Sequence, residues 1–188
     1  MNKAVFLDKD GTLIPDIPYN VDPEKITLVQ GATDALKLLQ SQGFLLIVIS
    51  NQSGVAHGYF DESALNVVSE KLRSLLSSDI PLHAFYFCPH HPHGIVQQYA
   101  MDCQCRKPGP GLILQAAEDH DIDLSRSWMI GDILNDVEAG NRAGCKTILI
   151  NNGNETEWIR NEMRQPTAMV NNLTMAADLI LQSTLQRI

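Results

Sequence analysis

The sequence lacks any run of about 18 apolar residues, the length that would span a bilayer as a helix, so no membrane segment is expected. It is short of cations, with 14 Lys and Arg against 22 Asp and Glu and a formal charge of −8. That balance excludes a broad surface for nucleic acid or anionic lipid, so a phosphorylated ligand would have to be met by a few local cations. Met1-Asn2-Lys3 runs directly into Ala4-Val5-Phe6-Leu7 without the long apolar stretch and small-residue cleavage site of a secretory signal, and a cytoplasmic location is expected. There is no internal repeat, low-complexity tract or interdomain linker, and 188 residues suit a single domain spanning 1–188, expected as a monomer. Cysteine is scarce too. Of the four, Cys88, Cys103 and Cys105 fall in one short region, which in a reducing compartment favours a metal over disulfides. Cys145, alone before an apolar run, reads as a small core residue, Trp128 as packing beside its strand, and Trp158 as either covering the core or partly exposed.

What is present alternates. Apolar runs at 5–7, 44–49, 84–87, 128–130 and 147–150 read as strands, and residues 32–42, 61–76, 111–120 and 134–143 as helices, with Asp61 able to cap the second. Gly43 and Gly144 act as helix stops. A strand at 168–170 and a helix at 175–185 complete the pattern. Such alternation predicts an α/β, three-layer Rossmann-like fold with a mostly parallel central sheet and a ligand crevice at the carboxyl ends of its strands. Asp8, Ser50 and Asp132 all fall at such ends.

Asp8 and Asp10, one residue apart just past a strand, can turn a nucleophilic carboxylate and an acid/base carboxyl towards one phosphoryl group. Gly11 permits a sharp turn, and Thr12 is expected to hydrogen-bond within it and hold Asp10. A carboxylate attacking a phosphate needs compensating positive charge, so a divalent cation is expected. Asp132 can join the Asp8 carboxylate and the Asp10 backbone carbonyl around Mg²⁺, with Asp136 orienting that shell. Lys107 is a compact charge suited to bridging Asp8 and the phosphate, while the Ser50 hydroxyl and the Asn51 N–H can donate to phosphate oxygens.

Cys88-Pro89-His90 and Cys103-Gln104-Cys105 form two ligand pairs flanking a loop at about 88–105, a candidate tetrahedral Cys₃His site for structural Zn²⁺. His91 and His93 stand as alternatives to His90, and free thiols with exposed histidines are the competing reading. A zinc there would pin a loop whose end delivers Arg106 and Lys107 to the pocket.

Asp8-x-Asp10-Gly11-Thr12, Ser50-Asn51, Lys107-Pro108 and Gly131-Asp132-x-x-x-Asp136 resemble, in order and spacing, the four motifs of the haloacid dehalogenase (HAD) superfamily of phosphohydrolases. Only about 40 residues separate Asp10 from Ser50, which a helix and a strand nearly exhaust, so the resemblance implies a capless member. The C-x-H…C-x-C loop before Arg106-Lys107-Pro108 is similar to the zinc-bearing branch that holds heptose bisphosphate and histidinol-phosphate phosphatases. The long stretch from His90 to Cys103 resembles the heptose side of that branch, which acts on a small phosphorylated sugar through an aspartyl phosphate in making activated heptose for cell-surface glycans. By that resemblance Arg106 and Lys107 would grip substrate phosphate and Asn51, Gln52 and Ser53 would line the pocket. Lys9 and His57 stand where that branch usually has Arg, and residues 15–21 differ from its usual loop, which is expected to touch the sugar. The rival of another class is a phosphate-binding protein without catalysis.

Overall fold

Ala4 and Phe6 point to one side of the first strand and Val5 and Leu7 to the other, and all four are fully buried. A strand with no wet face needs cover on both, which is the condition for a parallel sheet between two helical layers. The computed structural model, which describes residues 1–76 and 78–185, has that arrangement. Strands β1 (Lys3–Leu7), β2 (Phe44–Asn51), β3 (Ala84–Cys88), β4 (Trp128–Gly131), β5 (Lys146–Ile150) and β6 (Ala168–Val170) form one parallel sheet in the order β3-β2-β1-β4-β5-β6.

Helices α1 (Ala32–Ser41), α2 (Glu62–Leu75) and α5 (Leu173–Leu185) pack on the face that carries Val5, Leu7, Leu46 and Ile130. Helices α3 (Gly111–Asp119) and α4 (Leu134–Ala143) pack on the face of Phe6, Ile47, Ile49 and Met129. Each predicted strand and helix is present, with ends moved by at most two residues. Asp61 takes the N-cap position of α2 through its backbone, the carbonyl accepting from Ala64 N–H at 3.0 Å, but its exposed carboxylate makes no capping hydrogen bond. Gly144, at φ +89°, closes α4 in the left-handed conformation as expected. Cys145 and Trp128 are buried in the core, and burial pushes the Cys145 thiol up to about 12.

The chain builds β1, β2 and β3 outwards in one direction, then crosses back to place β4 against the free side of β1. The strand order therefore reverses between β1 and β4, leaving a crevice beyond their carboxyl ends. No further domain is inserted between β1 and β2 or between β2 and β3 among the described residues, so the crevice has no cap. No described helix is long and apolar enough to cross a membrane.

Close approach of α4 to the sheet depends on Gly140, where a β-carbon would lie 2.6 Å from both Met129 Cβ and Thr147 Cγ2. Neither atom is the end of a long flexible chain. Gly140→Ala should therefore lower stability by about 1–3 kcal/mol through overpacking, despite the better helix propensity of alanine. Urea denaturation checks this, and a stabilised variant would refute the packing argument.

Candidate active site

Asp8 follows β1, and its backbone N–H donates to the Ile130 carbonyl of β4 at 2.9 Å, which sets the side chain at the reversal point of the sheet. The chain then doubles back. Gly11 N–H donates to Ile14 O at 2.8 Å, and Leu13 and Ile14 N–H both donate to Lys9 O at 3.0 Å. Gly11 has φ +82°, and a β-carbon on it would collide with the Asp132 carboxylate and the Asn154 amide. Glycine is needed there both for its backbone conformation and for its missing side chain.

The expected role of Thr12 is not met. Its hydroxyl is buried without a hydrogen-bond partner, because the backbone groups of the turn already pair with one another. Asp10 is held from elsewhere: Lys9 Nζ lies 2.6 Å from Oδ1, and Gln52 Nε2 donates to Oδ2 at 3.1 Å. Burial raises the Asp10 pKa above the ordinary carboxyl value; Lys9 opposes the shift and Asp8 adds to it. That favours a carboxyl able to give up a proton.

Lys107 reaches the same point from the loop before α3. Its ammonium touches Asp8 Oδ1, lies 2.6 Å from Asp136 Oδ1 and donates to the Ile49 carbonyl at 3.0 Å. The contacts to Asp8 and Ile49 O are hydrogen bonds and the one to Asp136 is an ion pair, so the ammonium is held in place as a fixed charge beside the pocket. Burial alone would lower its pKa, but Asp136 and Asp8 reverse that and hold the ammonium well above its ordinary value. Asp136, fully buried at the start of α4, also accepts from Asp132 and Ile133 N–H at 3.2 Å. Both its oxygens are thereby committed, and its role is to brace Lys107 and the Asp132 turn.

The β2 end also makes side-chain contacts that the sequence did not indicate. The Asn51 side chain accepts from Lys107 N–H and donates to Lys107 O, both at 3.0 Å, clamping the Lys107 backbone. Ser50 is buried, and its oxygen accepts from Gln52 Nε2 at 2.7 Å. Asp8, Asp10, Asn51, Lys107 and Asp132 line one cavity of about 180 Å³. A neighbouring cavity of about 300 Å³ is lined by Lys9, Asp16, Tyr19, Gln52 and Ser53 among others. Tyr19, which lines it, meets Tyr59 edge-on at 4.7 Å. Arg106 donates to His90 O at 3.3 Å and opens onto a separate groove of about 740 Å³, which Lys107 also borders.

Two groups of side chains have the donor chemistry of metal sites. In the first, ligand atoms of Asp8, Asp132 and Asp136 lie within 4.8 Å of one another, with the one ammonium of Lys107 among them. Burial, followed by the charges of Asp8 and Asp136, pushes Asp132 up to about 7. Hard oxygen donors with undercompensated charge fit a cation such as Mg²⁺. In the second, Cys105 Sγ lies 3.0 Å from Cys88 Sγ, 3.1 Å from Cys103 Sγ and 3.3 Å from His90 Nδ1. Three soft thiols and an imidazole converging on one point fit Zn²⁺. None of these cysteines is in a disulfide, and His91 and His93 are outside the cluster.

The HAD-hydrolase-like family model matches residues 104–176. The D-glycero-β-D-manno-heptose-1,7-bisphosphate 7-phosphatase of Escherichia coli K12 is 37% identical over 170 residues, covering 85% of this chain and 89% of that protein. The chain belongs to the HAD-like phosphatases. The protein of the same name from Pasteurella multocida is 41% identical over 155 residues, covering 81% of this chain and 84% of that one. Among solved structures, a HAD-like phosphatase from Mesorhizobium loti superposes with a TM-score of 0.80 at 30% identity, covering 95% of this chain and 87% of that one. A D,D-heptose 1,7-bisphosphate phosphatase from B. bronchiseptica, in complex with magnesium and phosphate, superposes at 0.78 with 29% identity, covering 96% and 99%.

The sequence reading missed several residues that hold this HAD-like site together. Lys9 pairs with Asp10, Asn152 donates to Gly11 O at 2.7 Å, and Asn154 donates to Asp132 Oδ2 at 2.7 Å. A signal for the last two was present, since Asn151-Asn152-Gly153-Asn154 is a turn sequence directly after a strand whose carboxyl end faces the crevice.

An Asp in an unfolded chain titrates near pH 4, whereas Asp132 does so near 7 in the metal-free fold. Between those values the folded protein holds a proton that the unfolded chain has released, so this group costs stability as pH rises through the window. In chelator, the urea midpoint of the native protein relative to Asp132→Asn should therefore fall from about pH 4 to about pH 7. A flat or rising difference would contradict the assigned environment.

Proposed function

We propose that this HAD-like phosphatase is a Mg²⁺-dependent phosphomonoesterase that removes the 7-phosphate of D-glycero-D-manno-heptose 1,7-bisphosphate. The observation that carries the chemistry is the meeting of Asp8, Asp10, Lys107 and Asp132 around one cavity at the β1–β4 crevice. The substrate is supported by the identity to the heptose phosphatases and by the long loop from His90 to Cys103.

In this reading an Asp8 carboxylate oxygen attacks phosphorus and the bond from phosphorus to the sugar oxygen breaks, leaving an aspartyl phosphate. Asp10 gives its proton to the departing oxygen. Water then attacks the same phosphorus while Asp10, now a carboxylate, takes a proton from it; phosphate leaves and Asp8 is restored. Lys9 and Gln52 keep Asp10 in place through both steps. Lys107 offsets the repulsion between Asp8 and the incoming phosphate, and Asn51 fixes the Lys107 backbone. Asp8 and Asp132, with the Asp10 backbone carbonyl, would hold Mg²⁺, which supplies electrostatic stabilisation of the phosphoryl oxygens. Asp16, Tyr19 and Ser53 border the space for the sugar, and Arg106 is placed for a phosphate reaching the adjoining groove.

Cys88, His90, Cys103 and Cys105 would hold a structural zinc, since four protein ligands leave no open position. The reading takes 1–188 as one domain working as a cytoplasmic monomer: one chain provides the whole site, and its thiol cluster needs a reducing compartment. The acidic balance is a poor match for nucleic acid. The product would feed activated-heptose synthesis for cell-surface polysaccharide.

Phosphorus NMR of both heptose bisphosphate anomers with the enzyme and Mg²⁺ should show loss of the 7-phosphate only. Asp8→Asn should reduce turnover by about three orders of magnitude or more while keeping the fold. Preferred hydrolysis of histidinol phosphate in parallel would replace the substrate assignment. Tight binding without release of phosphate from any substrate would replace the enzymatic reading.

Elemental analysis of protein purified without chelator should find about one zinc per chain. Cys105→Ser should reduce that content and lower the thermal midpoint, whereas metal-free native protein of unchanged stability would refute the zinc site.

A further inference from the structure

The connection leaving β5 places three polar side chains on the site, two of them from water-exposed residues. Asn154 Nδ2 donates to Asp132 Oδ2 at 2.7 Å. As a cation ligand Asp132 is ionised and only accepts, which fixes the orientation of the amide. Asn152 uses both ends of its own amide, Oδ1 accepting from Asn154 N–H at 3.1 Å and Nδ2 donating to Gly11 O at 2.7 Å. Glu155 Oε2 then accepts from Leu134 N–H at 2.6 Å, at the first turn of α4. Gly153 joins the two asparagines at φ +97°, with nothing within 4 Å of where its β-carbon would lie, so glycine there serves the backbone alone.

These contacts gather the ends of β1, β4 and β5 into one unit. Gly11 shows the fit from the opposite side, since its missing β-carbon leaves the space that the Asp132 carboxylate and Asn154 amide fill. Asp132 has particular need of such a partner. Asp8 is held by Lys107, and both oxygens of Asp136 are committed to Lys107 and backbone N–H groups. Among the described residues, the side-chain hydrogen bond of Asp132 is the one from Asn154. A neutral amide can fix a carboxylate between two like charges without cancelling its own charge, whereas Lys or Arg in that place would compete with a bound cation.

We infer that Asn154, braced by Asn152, is a positioning residue for the divalent-cation site, occupying Asp132 Oδ2 and leaving the other oxygen of that carboxylate to the cation. This rests on the reading of Asp8 and Asp132 as cation ligands.

The test is Mn²⁺ binding to the full-length, zinc-loaded protein without substrate, followed by EPR, in the native protein, Asn154→Ala and Asn154→Asp. The second variant keeps the shape of the side chain and loses its N–H donor. Both variants should bind Mn²⁺ about tenfold more weakly, and kcat should fall with KM changed less than about twofold. The thermal midpoint of the zinc-loaded protein without added Mn²⁺ should stay close to native for Asn154→Ala, because the side chain it shortens is exposed. Native Mn²⁺ affinity in both variants would overturn the positioning role and leave the cation reading standing. Tighter binding by Asn154→Asp would also overturn it, by making position 154 a ligand. Absence of Mn²⁺ binding by the native protein would overturn both.

Discussion

A buried ammonium placed between two buried carboxylates is the constraint around which the molecule is arranged. Lys107 sits between Asp8 and Asp136 with 3% of its surface exposed. Each member would be costly to bury alone: breaking such a pair leaves an uncompensated charge worth about 3–5 kcal/mol. Together they allow Asp8 and Asp132, which repel each other, to stand at the ends of adjacent strands. The Ile49 carbonyl and the Asn51 clamp hold Lys107 from β2, so the balance also fixes the loop to the sheet.

That requirement connects the two clusters of candidate metal ligands. Lys107 arrives two residues after Cys105, and the segment between β3 and α3 has little regular structure to guide it. The Cys88, His90, Cys103 and Cys105 cluster ties both ends of this segment to the carboxyl end of β3. Gln104 O adds a backbone tie by accepting from Gly111 N–H at 2.8 Å, at the start of α3. The soft-ligand cluster is thus a scaffold for the hard-ligand one: the first limits where the chain can go, and the second uses the cation it brings.

Much of this was legible because it follows local rules. The continuous apolar run at residues 4–7 marks a strand covered on both faces, and Gly43 and Gly144 stop their helices for reasons internal to the chain. Asp8, Asp10 and Asp132 stand out since they follow strands at recognisable spacings, and Lys107 because it comes directly after the cysteine loop. Thr12 was misjudged because a hydroxyl near a turn looks able to bond within it, while the turn closes with its own backbone. The Asn51 backbone N–H was read as a ligand-facing donor, while the task of its side chain, bonding a residue 56 positions away, had no local signal.

The sequence by itself determined the alternation of strands and helices, the grouping of thiols with His90 and the acidic motif after β1, since each depends on side-chain chemistry within a few residues. Tertiary structure alone decided how charge is distributed among them. Asp136 became a brace because α4 sets it against Lys107, and Asn154 reached Asp132 because the β5 connection folds back across the crevice. Those pairings depend on which strand ends are neighbours, and that order, β1 beside β4 rather than beside β3, comes from packing both sheet faces at once.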